Sequence, residues 1–397
     1  MGILARFSIR TILGLIVGVM GLLLLIVSTG TLTDAAKAWR EADRLSKLTE
    51  VSRSLVKTLL PFRVERGTEI TAVLSEAPAN SSTLSRIEVN RKSTEAAYAE
   101  SLKLIALISA PDLPATLNRL VSGHEAMLQL RPKIDVAIQK PKSERTADLE
   151  NEVPKVAGAF LDSITAISDL LDASLKMVDP AVDQLLSVKR AAWGARNFAG
   201  LVAYRIENTA ASGKTWTPTD IALVSQDVGR TAYAWLLINE AAVRSDTPPA
   251  LVEAVAKARQ YFIGPMADER KSLIKTLTDG GLITMPMRDL QNRDIAELNL
   301  ISDLLNVALD EMIGRAQAQS KHATLTLVVS AIQLLAAVFF TAVGLLIGQR
   351  HVSRPLVRMS EVMRRLADHD LNADIPDIGR QDEIGAMPNP CRCSRTA

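Results

Sequence analysis

Cysteine is nearly absent from this chain of 397 residues, and both examples, Cys391 and Cys393, lie close to its end. A disulfide framework is therefore excluded from the body of the protein. The four histidines are scattered without metal-ligand spacing, so we expect neither a metal nor another cofactor. Aromatic residues make up only 4% of the chain, while the residue types typical of long helices dominate. The formal net charge of +2 argues against the broad basic face of a nucleic-acid-binding protein.

Charge is missing altogether from two long runs, residues 11–33 and residues 323–349. Each run is long enough to cross a hydrocarbon core of about 30 Å as a helix. The alternative for the first run is a cleaved signal peptide, since small residues follow it at positions 35–38. However, the run is too long for that, and Asp34 and Lys37 stand where a cleavage site is neutral. The sequence therefore predicts two transmembrane helices in contact with membrane lipid.

Arginine is concentrated just outside these two runs, on the sides facing the chain ends. The positive-inside rule then places residues 1–10 and the segment after residue 349 in the cytoplasm. We expect a two-pass protein of the bacterial inner membrane, with residues 34–322 outside the cytoplasm. The arginines on which this orientation rests are Arg6, Arg10, Arg350, Arg354, Arg358, Arg364 and Arg365.

In the segment between the two runs, apolar residues recur with the period of amphipathic helices, and turns rich in proline and glycine separate these stretches. This pattern predicts an all-α membrane protein. It also repeats itself: "ISDLLDASLKM" at 167–177 recurs as "ISDLLNVALDEM" at 301–312, an offset of 134 residues. We interpret residues 35–177 and 178–320 as two copies of a four-helix unit, together a double four-helix bundle. The copies could form separate bundles or stacked bundles with shared long helices, and we favour the second arrangement.

An arginine–glycine element recurs at nearly the same offset, because "LLPFRVERG" at 59–67 aligns with "AWGARNFAG" at 192–200. Arg63 then corresponds to Arg196 and Gly67 to Gly200, whereas Arg66 has no counterpart. Guanidinium forks match planar oxyanions bidentately, so Arg63, Arg66 and Arg196 are candidate ligand-binding residues on facing helices.

The alternative is that these arginines are solvated or pair with local carboxylates such as Glu65 and Glu69. The aromatic residues Trp193, Tyr98 and Tyr233 could line a ligand pocket, but we interpret them as core residues. Arg131, which precedes Pro132, is expected to be a charge on a helix surface.

The segment after the second run begins with an apolar seam spaced three, four and three residues apart, formed by Leu356, Met359, Met363 and Leu366. Such a seam packs in a parallel coiled coil. With Pro355, Glu361 and the D-E-x-G element Asp382, Glu383 and Gly385, the segment resembles the HAMP linker of membrane receptors. This resemblance implies a homodimer whose parallel four-helix bundle relays movement of the transmembrane helices.

The resemblance ends early, since the predicted HAMP domain at 350–387 is shorter than in that family. Residues 388–397 carry Pro388 and Pro390, which forbid a continuing helix, and we interpret this tail as the product of read-through or a frameshift. No kinase motif, methylation helix or catalytic constellation is present, so we expect no enzymatic activity. A coupling protein and a kinase are expected as partners only if the missing output domain is supplied.

The whole layout resembles bacterial chemoreceptors with large helical sensor domains, either the nitrate- and nitrite-sensing family or the helical bimodular family. The first implies a small oxyanion held by arginines, the second a small organic acid. The leading interpretation is therefore a transmembrane chemotaxis-type sensor for a small anion. Two alternatives remain: the sensor portion of a histidine kinase or diguanylate cyclase without its catalytic domain, and an interaction protein that binds a partner through its helices.

Overall fold

The computed structural model describes residues 9–110, 112–145, 148–176, 179–242, 244 and 247–368. Within these ranges the chain forms helices and no strand, which confirms the all-α fold class. The helices are α1 (Ile9–Leu74), α2 (Ser81–Ile105), α3 (Leu113–Ile138), α4 (Leu149–Leu175), α5 (Pro180–Ser212), α6 (Pro218–Ala242), α7 (Pro249–Phe262), α8 (Pro265–Thr278), α9 (Met287–Ile347) and α10 (Arg354–Ala367). A short 3₁₀ turn lies at Lys142–Glu144 and a π-helical segment at Gly348–Ser353.

Helix boundaries follow from local capping chemistry. The side chain of Asn80 accepts a hydrogen bond from the backbone N–H of Thr83 at the start of α2. Asp179 accepts two such bonds at the start of α5, with Pro180 in the first helical position. Gly213 ends α5 in the left-handed conformation at φ 62°, which costs glycine little. These residues fix where the helices begin and end before any packing is considered.

The chain divides into two compact units, and residues 42–320 form the larger one. One continuous apolar core runs through both halves of this unit, including Phe62 and Phe160 from the first and Leu186 and Leu305 from the second. Polar bonds also join the halves: Arg63 of α1 contacts Asn197 of α5, for example. The two copies therefore share a core instead of forming separate bundles.

The third helix of each copy differs between the halves. In the first copy it is the single helix α3, which contains Pro132, whereas in the second it is divided into α7 and α8. The break falls at Gly264, whose φ of 110° lies outside the helical region, followed by Pro265. Gly264 takes the place of Arg131, so the exchange removes a side chain and allows a turn.

Arg131 is buried, with 6% of its surface exposed, so the prediction that it lies on a helix surface is wrong. Its Nε donates to Glu65 at 2.8 Å and an Nη donates to Glu95 at 2.6 Å. Arg91 donates to Glu69 at 2.7 Å in the same cluster. A buried arginine is tolerated here because two carboxylates compensate its charge.

The second unit comprises residues 1–41 and 321–397, of which 9–41 and 321–368 are described. Here α1 and α9 each contain an apolar window, of mean hydropathy 2.4 and 2.2, long enough to cross a membrane. The two helices approach closely at Gly21, where an added Cβ would lie 2.3 Å from Thr341. Large apolar side chains such as Leu15 and Leu335 remain 64% and 70% exposed, as expected for surfaces that lipid covers.

Helix α10 carries the predicted HAMP seam. Pro355 lies near the start of α10 and is buried, Leu356 is half-buried and Met359 is 5% exposed, whereas Met363 is 52% exposed. Glu361 lies on the outer side and pairs with Arg364 at 2.8 Å. The side chain of Leu366 and the whole of Asp382, Glu383 and Gly385 lie outside the described residues.

Replacing Arg131 should be strongly destabilising. The change Arg131→Met leaves Glu65 buried without its principal partner, so we expect the free energy of unfolding to fall by about 3 kcal/mol. Chemical denaturation of the full chain in detergent, followed by circular dichroism, measures this. Lys133→Met is the matched control on α3, because the Lys133–Glu152 pair is exposed and should contribute less than about 1 kcal/mol. Equal losses in the two variants would contradict the interpretation.

Candidate ligand-binding site

The three arginines predicted from the sequence line one cavity in the 42–320 unit. Its volume is about 100 Å³, room for a small ion rather than a large organic molecule. Arg63 and Arg66 approach from α1 and Arg196 approaches from α5. Helices α2 and α9 complete the wall. The lining residues central to the site are Arg63, Arg66, Gly67, Arg86, Arg196, Asn197, Gly200, Tyr204, Glu207, Gln291 and Asp294.

The hydrogen bonds of the three arginines go to neutral groups. Arg63 donates from Nη2 to Oδ1 of Asn197 at 2.9 Å, and Arg196 donates from Nε to the hydroxyl of Ser302 at 3.1 Å. The guanidinium of Arg66 lies 5.6 Å from the centre of the Tyr204 ring. The Nε atoms of Arg63 and Arg66 are buried and have no hydrogen-bond partner among the described residues. The cavity is therefore lined by N–H donors with unused capacity.

The alternative explanation, pairing with neighbouring carboxylates, does not apply in the described structure. Glu65 and Glu69 are fully buried, but they accept hydrogen bonds from Arg131 and Arg91 respectively. The side chains of Glu65 and Glu69 lie on a different face of α1 from Arg63. Among the described residues, no carboxylate lies within ion-pair distance of Arg63, Arg66 or Arg196. Their positive charge is compensated only in part, by Glu207 acting on Arg196 and Asp162 acting on Arg66 at longer range.

This uncompensated charge affects the arginines themselves. Burial, and then the positive charges of Arg196 and Arg66, lower the pKa of Arg63 well below its usual value. Burial lowers the pKa of Arg196 to about 10 although Tyr261 and Glu207 oppose the shift. Burial also lowers the pKa of Arg66, against the influence of Tyr204 and Asp162. All three shifts mean that the surroundings of the cavity disfavour the cationic forms, which a bound anion would stabilise.

The two glycines of the repeated element have a role in the shape of the cavity. Gly67 lines it, and a Cβ added there would meet no atom within 4 Å. A Cβ added at Gly200 would lie 2.8 Å from an Nη atom of Arg196, so glycine at this position lets the guanidinium lie against the α5 backbone. Glycine thus has a steric explanation at position 200, whereas the surroundings of Gly67 leave room for a Cβ.

Four charged or aromatic residues of the cavity wall were not predicted from the sequence. Arg86 of α2 donates to the side-chain oxygens of Gln291 at 3.3 Å and Asn292 at 2.8 Å, again neutral partners. Tyr204, Glu207 and Asp294 complete the group. None of these positions is part of the recurring arginine–glycine element, which was the signal that identified the others.

The aromatic residues considered from the sequence lie elsewhere. Trp193 and Tyr98 are buried in the core as expected, the first beside Arg63 at 5.9 Å from ring centre to guanidinium carbon. Tyr98 stacks on His124 with ring centres 3.8 Å apart. Tyr233 is 63% exposed, so its interpretation as a core residue is wrong.

Over the described ranges, no group of three or more His, Cys, Asp or Glu residues is placed to hold a metal.

Comparison with known proteins gave one family match to a segment of the chain and one structural similarity over most of it. The HAMP domain family matches residues 349–387. The solved structure of the NasR transcription antiterminator is similar over 92% of each chain, with a TM-score of 0.55 and 11% sequence identity. At that identity the similarity concerns the helical fold alone. No curated protein matches the sequence. The HAMP match together with two apolar helices indicates a HAMP-bearing transmembrane signal-transduction sensor.

Removing one of the clustered charges should stabilise the protein. The change Arg63→Gln retains a polar group near Asn197 and relieves repulsion from Arg66 and Arg196, so we expect about 1 kcal/mol of added stability at low ionic strength. Thermal unfolding of the full chain measures it as a raised Tm. Arg131→Gln, which removes a buried arginine with carboxylate partners, should lower Tm. A fall in Tm of similar size for both would show that Arg63 is not under electrostatic strain.

Proposed function

We propose that this sensor binds a small anion, such as nitrate, nitrite or a small carboxylate, in the 42–320 unit. The observation that carries the proposal is a cluster of three arginines around one cavity, with Arg196 buried and Arg63 and Arg66 half-buried, whose hydrogen bonds go to neutral partners. An anion there would accept bonds from arginines of α1 and α5 at once. Charge-assisted hydrogen bonds of this kind are the strongest that arginine makes.

Binding would change the balance of forces between helices. The positive charge of Arg196 on α5 acts unfavourably on Arg63 of α1, and Arg196 also donates a hydrogen bond to Ser302 of α9. A bound anion converts this repulsion into a bridge between α1 and α5. Such a ligand biases a conformational equilibrium only if it binds the two helix arrangements with different affinity. We propose that this difference is the signal, and that HAMP receives it.

The remaining features of the proposal follow from the sequence. Residues 34–322 would lie in the periplasm, both termini in the cytoplasm, and the receptor would act as a homodimer in chemotaxis-type signalling. A histidine kinase or a cyclase is the alternative output, since the anion site would serve either equally well.

Loss of either principal arginine should abolish most of the anion affinity. Because a hydrogen bond to a charged group contributes about 1.5–3 kcal/mol, Arg63→Ala and Arg196→Ala should each weaken binding by tenfold or more. Isothermal titration calorimetry of the full chain in nanodiscs with nitrate, nitrite and acetate measures this.

Arg53→Ala is the matched control for this experiment. Arg53 also lies on α1, but it pairs with Asp310 at 2.8 Å and does not line the cavity. The Arg53→Ala variant should therefore bind anions with the same affinity as the wild type. If no anion produces heat, or if the two cavity variants bind as tightly as Arg53→Ala, the anion-site proposal is wrong.

The homodimer is tested by cross-linking along α10. In a chain with Cys391 and Cys393 replaced by serine, Met363→Cys should form a disulfide-linked dimer on mild oxidation, because the seam brings the two copies of position 363 together. Glu361→Cys is the control on the outer side of the same helix. Gel electrophoresis without reductant measures the dimer. Equal cross-linking at both positions, or none at position 363, would rule out the seam as the dimer contact.

A further inference from the structure

Arg86 of α2 lies between the cationic cavity and a larger recess outside it. This outer recess is formed by residues of α1, α2, α5 and α9 and has a volume of about 490 Å³, against about 100 Å³ for the cavity. Four residues line both spaces: Val64, Arg86, Arg196 and Ile295. A small ion that enters the cavity from the outer recess must therefore pass these side chains, of which two are arginines.

The hydrogen bonds of Arg86 join α2 to the beginning of α9. Its Nη1 donates to Oε1 of Gln291 at 3.3 Å, and its Nη2 donates to Oδ1 of Asn292 at 2.8 Å. Both acceptors are amides, so they do not compensate the charge of the guanidinium. The bridge between the two helices is therefore made of two hydrogen bonds to neutral groups on one side.

The acidic residues of the cavity wall do not take the place of these amides. Glu207 and Asp294 line the cavity, but neither forms an ion pair with Arg86 in the described chain. Asp294 is paired with Arg293 at 2.6 Å, and the charge of Arg86 acts on Glu207 only at longer range. The guanidinium of Arg86 thus lies at the cavity with neutral groups as its direct partners.

An anion would compete with α9 for the arginines of the cavity wall. Besides Arg86, Arg196 is also bound to α9 through a neutral acceptor, the hydroxyl of Ser302 at 3.1 Å. Hydrogen bonds from a guanidinium to an anion are charge-assisted on both sides and stronger than those to neutral groups. Guanidinium groups that are held by amides and a hydroxyl can therefore exchange these partners for an anion.

We propose that Arg86 is a fourth anion-binding arginine, which transfers its N–H donors from the amides of Gln291 and Asn292 to the anion. This inference rests on the proposed function of the cavity. Arg86 of α2 then joins Arg63 of α1 and Arg196 of α5 around the anion. The same exchange removes the hydrogen bonds between α2 and the beginning of α9, the helix that contains the second apolar window.

The variant Asn292→Ala tests this exchange without changing any charge. Asn292 is exposed and lines the outer recess but not the cavity, so it is not among the residues that would contact the anion. If Arg86 must leave Asn292 to bind the anion, removing this amide favours the bound state. Calorimetry of the full chain in nanodiscs with nitrate, nitrite and acetate should then give an affinity about two- to tenfold tighter than that of the wild type, the range that one hydrogen bond supplies.

Asn299→Ala is the matched control for this measurement. Asn299 is also an exposed asparagine of α9 that lines the outer recess, but it forms no hydrogen bond with Arg86 in the described chain. Its replacement should leave the affinity unchanged. An affinity of Asn292→Ala equal to or weaker than that of Asn299→Ala would overturn the proposal, because breaking a merely structural bridge brings no gain in binding.

Variants of Arg86 itself should change the affinity in the opposite direction. Arg86→Met loses a charge-assisted hydrogen bond and should bind about tenfold more weakly or worse, whereas Arg86→Lys keeps the charge without the fork and should lie between Arg86→Met and the wild type. Wild-type affinity in Arg86→Met would show that Arg86 does not contact the anion. Should Arg86→Met fail to fold, Asn292→Ala still decides, since it leaves Arg86 in place.

The same titrations separate the role of Arg86 from the anion site itself. Binding that Arg63→Ala and Arg196→Ala weaken but Asn292→Ala leaves unchanged would overturn the exchange at Arg86 and leave the site intact. Absence of nitrate, nitrite and acetate binding in the wild type would overturn the anion site and the role of Arg86 together.

Discussion

The interaction on which the proposed site depends is the repulsion that Arg63, half-buried on α1, experiences from Arg66 and from Arg196 of α5. Arg63, Arg66 and Arg196 lie around one small cavity without a carboxylate partner in the described chain. Like charges at such short range in a poorly solvated site cost free energy, as the lowered pKa of Arg63 indicates. The apolar core that runs through both halves of the 42–320 unit opposes this cost, because burial of apolar surface favours the folded state.

The first half of the same unit shows how buried arginines are handled when no ligand is involved. Arg131 and Arg91 are neutralised by Glu65, Glu95 and Glu69 at distances of 2.6–2.9 Å. One turn of α1 serves both sets of arginines. Glu65 on this turn pairs with Arg131 of α3, and Arg63 on the same turn lines the cavity. In the cavity, by contrast, Glu207 and Asp294 line the wall but form no ion pair with Arg63, Arg66 or Arg196 in the described chain. The second set is suited to an anion from outside the chain.

Much of this architecture could be predicted from the sequence, because helical periodicity and the internal offset are both local patterns. The offset of 133 residues paired Arg63 with Arg196 and Gly67 with Gly200, and the structure places all four at one cavity. Arg86, Glu207 and Asp294 could not be predicted, because their positions depend on how α2, α5 and α9 pack. The prediction that Arg131 is a surface residue was wrong for the same reason. Its carboxylate partners Glu65 and Glu95 lie on α1 and α2, so the pairing depends on how these helices pack against α3. The break between α7 and α8 depended on one Gly–Pro step, which a helical pattern on either side concealed.

The two copies differ most where they carry charge. At the offset of 133, Glu65 corresponds to Phe198, Glu69 to Val202 and Arg131 to Gly264, so the ion-pair cluster of the first half has no equivalent in the second. Glu207 corresponds to Leu74 at the same offset, so one acidic member of the cavity belongs to the second half alone. The arginine and glycine that face the cavity are present in both. Two copies that share a cationic element but differ in acidic residues produce a site with charge on both sides and a titratable carboxyl on one. That asymmetry places Glu207 and Asp294, both from the second copy, in the cavity wall, which two strictly symmetric copies would not do.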